Sequence, residues 1–149
     1  MGKWNAVNME NPSLDSFFKK SQQYIDTIGS THDSATNVAT YGSNNMDSMR
    51  QLLQLQLDSA KNMQEDAVVK TQFNFRKDNI VILAFNGNTD SSKWFIDSKD
   101  NLVLTDLNNA GGAADNLKME ILSINDSVLK LKFAQNNIFS TVTFRHEGK

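Results

Sequence analysis

Gly2-Lys3-Trp4-Asn5-Ala6-Val7 is the stretch that decides the fold, because this first strand candidate is cut off from all later ones by a long helical stretch. From about Val69 to Arg145 the chain reads as a run of short, turn-punctuated β segments. One early strand, a helical insertion and then a meander is how several small barrels are wired. Such a scaffold is expected to hold something rather than transform it.

The chain has 149 residues, 39% of them hydrophobic and 21% charged, which fits one compact domain spanning 1–149 with a helical insertion at about 12–68. A net charge of -2 and a pI of about 5.6, with no continuous track of Lys and Arg, exclude the electrostatic footprint of a nucleic-acid binder. With no cysteine there is no disulfide framework, thiolate nucleophile or thiolate metal site. The longest apolar run, Ile80 to Phe85, is too short to span a bilayer as a helix, so no transmembrane segment is expected. The abrupt Met1-Gly2 start against a strand fits a chain trimmed after an export signal, with either Met1 alone or Met1 and Gly2 added. A cytosolic chain that starts abruptly reads the same, and export is preferred on the family grounds below.

Asn11-Pro12 opens a helix, since Asn caps free N–H groups and Pro suits the first helical position, and Gly29 stops it. Between them Leu14, Phe17, Phe18, Tyr24, Ile25 and Ile28 recur at helical spacing. Ser30 to Asn45, rich in Ser, Thr, Asn and Asp, suits a loop or a short weak helix. From Met46 to Val68 the residues Met46, Met49, Leu53, Ala60, Met63 and Ala67 track one face, widened by Leu52 and Leu57. That stripe reads as core packing of the helix, or alternatively as a Met-rich lid over a ligand cavity.

Val69, Thr71, Phe73 and Phe75 alternate with polar residues, so one face of that strand is apolar. Lys77-Asp78-Asn79 turns the chain into Ile80–Phe85, whose continuous apolarity suggests cover on both sides. Asn86-Gly87-Asn88 ends it. Lys93–Asp97 and Leu102–Thr105 flank a hairpin turn at 98–101, Leu107–Asp115 is a Gly111-Gly112 loop, and Leu117–Ile124 and Val128–Phe133 flank Asn125-Asp126-Ser127. Ile138–Arg145 closes the series. The expected class is therefore mainly β with an α insertion, an antiparallel meander barrel of about eight strands.

Gly2-Lys3-Trp4 matches the Gly-x-Trp that opens the first strand of lipocalin-like proteins of the calycin group, and Arg145 in Val142-Thr143-Phe144-Arg145 matches their late arginine. The chain resembles this family, particularly the small exported lipocalin-like domains of Bacteroidetes. Phe73-Asn74-Phe75-Arg76, Ser92-Lys93-Trp94-Phe95-Ile96 and Lys118-Met119-Glu120-Ile121-Leu122 share its strand-hairpin-strand rhythm. The insertion is longer than in ordinary lipocalins, no helix follows the last strand, and helices after the first strand are similar to the fatty-acid-binding branch. The resemblance implies that Trp4 and Arg145 close one barrel end, guanidinium over indole. It also implies export to the periplasm or envelope, in a form such as a lipoprotein whose anchor precedes this sequence. Its functional implication is a non-catalytic barrel holding a small hydrophobic ligand among Phe73, Phe75, Ile82, Trp94, Leu104, Met119, Leu131 and Val142. The alternative is a filled barrel acting as a structural or protein-interaction module, with an apolar patch that includes Phe17, Phe18 or Tyr24.

Little catalytic chemistry is offered. His32 and His146 stand in no ligand-spaced cluster, so neither a metal nor a cofactor is expected, and there is no nucleophile elbow or phosphate loop. Asp97, Asp100 and Asp106 lack the spacing of a calcium loop and serve as turn residues. Arg76 reads as a solvated strand end, and the Asn125-Asp126-Ser127 sequon as a turn.

Overall fold

The alternating segments pair in sequence order and close on themselves, giving a barrel β1-β2-β3-β4-β5-β6-β7-β8 in which every pairing is antiparallel. The structure, a computed structural model, describes residues 1–30, 33–107, 116–135 and 138–148. Its elements are β1 (Gly2–Glu10), α1 (Pro12–Thr27), α2 (Ser34–Tyr41), α3 (Met46–Val69), β2 (Gln72–Phe75), β3 (Ile80–Phe85), β4 (Asn88–Ile96), β5 (Asn101–Asp106), β6 (Leu117–Ile124), β7 (Val128–Gln135) and β8 (Ile138–His146). Two compact units result, the barrel with its flanking turns (Met1–Pro12 and Glu65–Lys149) and a helical unit (Ser13–Gln64). The Gly111-Gly112 loop and His32 lie outside the described residues.

In the barrel, period-2 patterning sends Phe73 and Phe75, Leu102 and Leu104, Leu129 and Leu131, and Val142 and Phe144 inward, where they join one buried cluster with Trp4, Ala6, Val81 and Met119. A β-bulge interrupts β1: Ala6 pairs with Phe144 but Asn8 with Thr143, leaving Val7 as the extra residue. The bulge shifts the phase, so that Met9, opposite Val142, faces inward with Trp4 and Ala6.

Two expectations about strands are corrected. Val69, read as the start of a strand, is the last residue of α3, and β2 begins only at Gln72. The helical bonding runs on through Lys70 N–H to Asp66 O at 3.0 Å, while Thr71 O accepts from Ala6 N–H at 2.9 Å. Strand β4 also begins earlier than Lys93. Phe85 pairs with Asn88, and Asn86 and Gly87 between them have φ of 48° and 86°, the two left-handed residues of a type I′ hairpin. The polar run Asn88 to Ser92 carries no hydrophobic signal, so only the turn betrays the strand.

In the helical unit, α2 fills part of the Ser30–Asn45 region. Asp33 caps it by accepting from Thr36 N–H at 2.8 Å, and Gly42, at φ 74°, ends it. Asn45 Oδ1 accepts from Ser48 N–H at 3.0 Å and starts α3. Gly29 has φ 70°, and a Cβ there would overlap the buried Met46 side chain. Helices α1 and α3 run antiparallel: Arg50 donates to the Ile28 carbonyl at 2.7 Å, and further along the Gln22 and Gln54 amides exchange hydrogen bonds at 2.8 and 3.2 Å. Ile25, Ile28, Met46 and Leu57 are the buried apolar residues of this unit.

Candidate functional site

The barrel interior is the site that the sequence nominated. Phe73, Phe75, Leu104, Met119, Leu131 and Val142 all point into it, and Trp94 is half-buried against the same cluster. Ile82 does not. Asn74 pairs with Ile82 while Phe73 and Phe75 pair with Leu83 and Val81, so Ile82 lies on the outer face and Val81 replaces it inside. A continuously apolar strand carries no phase of its own, and its register is set by Phe73 and Phe75 on the neighbouring strand.

The inward side chains meet each other. The Phe73 and Phe144 rings lie 4.8 Å apart, Phe73 and Phe75 5.9 Å, and Phe75 and Trp94 5.3 Å edge to face. Val81 and Leu131 have 0% of their surface accessible, Phe144 and Met119 2%, and Leu104 3%. A cavity able to hold even water would leave accessible surface on its walls. At mid-height the barrel is packed by its own side chains. Leu83 and Phe133 on the inner face, and Met9 beside them, are only partly buried and lie toward the end where β1 gives way to the helical insertion.

At the opposite end a different residue closes the barrel from the one expected. Arg145 is exposed and pairs with Asn5, on the outer face. Trp4 pairs with His146, whose ring meets the indole edge to face at 4.8 Å and 87°. His146 Nε2 lies 3.2 Å from the Met1 carbonyl. The same ring explains the glycine of Gly2-Lys3-Trp4: Gly2 has φ 113°, and a Cβ there would stand 2.6 Å from His146 Nε2. Lys3 Nζ and Glu147 form an ion pair at 2.8 Å beside this plug. Sequence alone could not choose between neighbouring residues 145 and 146, because the choice depends on strand register.

The other polar candidates are structural. Asp97 accepts hydrogen bonds from the Lys99 and Asn101 N–H groups at 2.8 and 3.0 Å and pairs with Lys118 Nζ at 2.5 Å. The Lys118 ammonium, followed by these turn N–H groups, holds its carboxyl well below the usual carboxylate range. Asp97 is therefore the organiser of the β4–β5 turn, in which Asp100 takes a left-handed φ of 58°. Arg76 pairs with Asp78 at 3.0 Å, largely solvated. Asn125 Oδ1 accepts from the Ser127 and Val128 N–H groups at 2.9 and 2.8 Å, an Asx turn. Among the described residues no three His, Cys, Asp or Glu side chains gather as a metal would need.

The helical unit offers a second surface. Phe17, Lys20, Ser21, Tyr24 and Ile25 of α1 and Leu53, Gln56, Leu57 and Ala60 of α3 line a groove of about 440 Å³. Its depth comes from residue size, since Ser21 and Ala60 leave a trough beside Phe17 and Tyr24. Phe17 and Tyr24 remain 58% and 52% exposed. The stripe on α3 anticipated this only in part: Met46 and Leu57 are buried, whereas Leu52, Ala60 and Met63 are exposed.

These features define a closed eight-stranded antiparallel barrel, mainly β, with a helical insertion between its first and second strands. No family model and no curated protein matches the chain. Among solved structures it is similar to a DUF4847 family protein from Bacteroides vulgatus, with 13% identity and a TM-score of 0.46 over 99% of this chain and 94% of that one. No helix among the described residues is long and apolar enough to cross a membrane.

Proposed function

We propose that this protein is a non-catalytic interaction module in which the barrel is a packed scaffold and recognition takes place outside the barrel interior. The observation that supports this reading is the near-zero accessibility of Val81, Leu104, Met119, Leu131 and Phe144, whose side chains pack the part of the interior where a hollow barrel of this kind would hold a hydrophobic ligand. The resemblance of Gly2-Lys3-Trp4 to exported lipocalin-like domains supports a place at the cell envelope.

The test is a titration of delipidated protein with a fluorescent fatty-acid analogue, followed through tryptophan emission with Trp94→Phe as control. No saturable change is expected at high micromolar probe. Saturable binding that a natural fatty acid displaces, and that Trp94→Phe silences, would return the function to the barrel interior.

A further inference from the structure

The helical hairpin of α1 and α3 has two unlike faces. On one, the polar groups are satisfied within the unit: Gln22 with Gln54 and Asp26, Gln54 with Asp58, and Arg50 with Asp47 and the Ile28 carbonyl. On the other, Phe17 and Tyr24 flank the groove on α1, and Leu52, Gln56, Ala60 and Met63 follow one another at helical spacing along α3. Phe17 and Tyr24, which line the groove, and Leu52 and Met63, which stand beyond its lining on α3, are all more than half exposed. Contiguous apolar surface of this kind on a polar-rimmed element marks a recognition site.

We propose that this groove seats an amphipathic helix of a protein partner, with an acidic residue of that helix facing Lys20. The assignment rests on the reading that recognition lies outside the barrel. A small molecule is a poor occupant, because pockets that hold one enclose roughly 70–90% of its surface, whereas here Phe17 and Tyr24, the α1 wall, stand more than half exposed. A helix about 10 Å across laid along the trough covers both walls, and the α3 lining from Leu53 to Ala60 runs about 10 Å, roughly two turns. The charge of the lining selects among helices. Lys20 is its one ionised residue and no carboxylate lines it, so an acidic side chain is favoured at that edge and a basic one disfavoured.

The experiment uses the full chain and two designed helical peptides with the same leucine face, one flanked by Glu and its twin by Lys, each followed by fluorescence anisotropy. The Glu peptide is expected to bind saturably and about three- to tenfold more tightly than the Lys twin, the range open to a rim charge compared across its sign. Lys20→Glu should invert that order, and Ala60→Trp, which fills the trough at an exposed position, should abolish binding while circular dichroism shows the helices intact. Absence of saturable binding, or an order that Lys20→Glu leaves unchanged, overturns the proposal. Concentration-dependent dimerisation lost in Ala60→Trp would overturn it too, giving the groove to a second copy of this chain. Fatty-acid binding seen through Trp94 alongside intact, charge-selective peptide binding would sink only the reading of the barrel as a packed scaffold.

Discussion

Truncating Leu131 measures whether the barrel is packed or hollow. Leu131 has no accessible surface and sits in register between Ile121 and Val142. Leu131→Ala removes three carbons, worth about 2.4 kcal/mol at roughly 0.8 per methylene. In a packed interior the unfilled space adds to this, for a total of about 3–5 kcal/mol. Were Leu131 instead the wall of a wet cavity, its truncation would expose little new apolar surface and cost below about 1.5 kcal/mol. Both tryptophans, Trp4 and Trp94, lie in barrel strands, so urea unfolding followed by tryptophan emission reads the barrel and not the helical unit. The expected result is a lower midpoint with an unchanged slope. A loss under about 1.5 kcal/mol would refute the packed interior and the function built on it.

Three further outcomes follow from named geometry. Gly2→Ala, which needs a left-handed-region φ and collides with the His146 ring, should destabilise the barrel by about 1–3 kcal/mol; placing it in a His146→Ala background should recover the steric share, as a double-mutant cycle in urea would show. Val81→Ala should cost more than Ile82→Ala although it removes less, because Val81 faces the core and Ile82 the outer surface; equal costs in the same assay would argue for a different register. Asp97 has its pKa lowered in the fold, so its contribution is fully present above the unfolded carboxylate value near 4 and is lost as pH falls below that value through the lowered folded one. Stability of Asp97→Asn should therefore be lower at neutral pH and vary less with pH across that window.

How much of this was legible in the sequence depends on what each residue's neighbours say. Alternation in Phe73–Phe75 and Leu129–Phe133 exposes its own inner face, so those strands and their core residues could be read directly. Ile80–Phe85 is apolar at every position, and its inner face is known only once Phe73 and Phe75 are paired with Leu83 and Val81. The first half of β4 is polar throughout and was hidden behind a turn signal that marked it correctly. Arg145 carried the family pattern, but its neighbour His146 holds the position over Trp4, because pairing with Asn5 directs Arg145 outward. The α1–α3 groove was the least visible feature. Its apolar residues share helical spacing with core positions, and the small side chains of Ser21 and Ala60, which line it on opposite helices, turn that stripe into a trough.

The pairing of β1 with β8 also orders events in time. Of the barrel's own strands, the first to be synthesised waits for the last to acquire its second neighbour, while the intervening helices can condense from local contacts. Until β8 emerges, β1 and β7 each present an open row of backbone donors and acceptors, the condition under which strands recruit other chains. Folding of this barrel is consequently governed by its most distant contact, and truncation by even the final strand leaves a sticky ribbon where a closed surface would have stood.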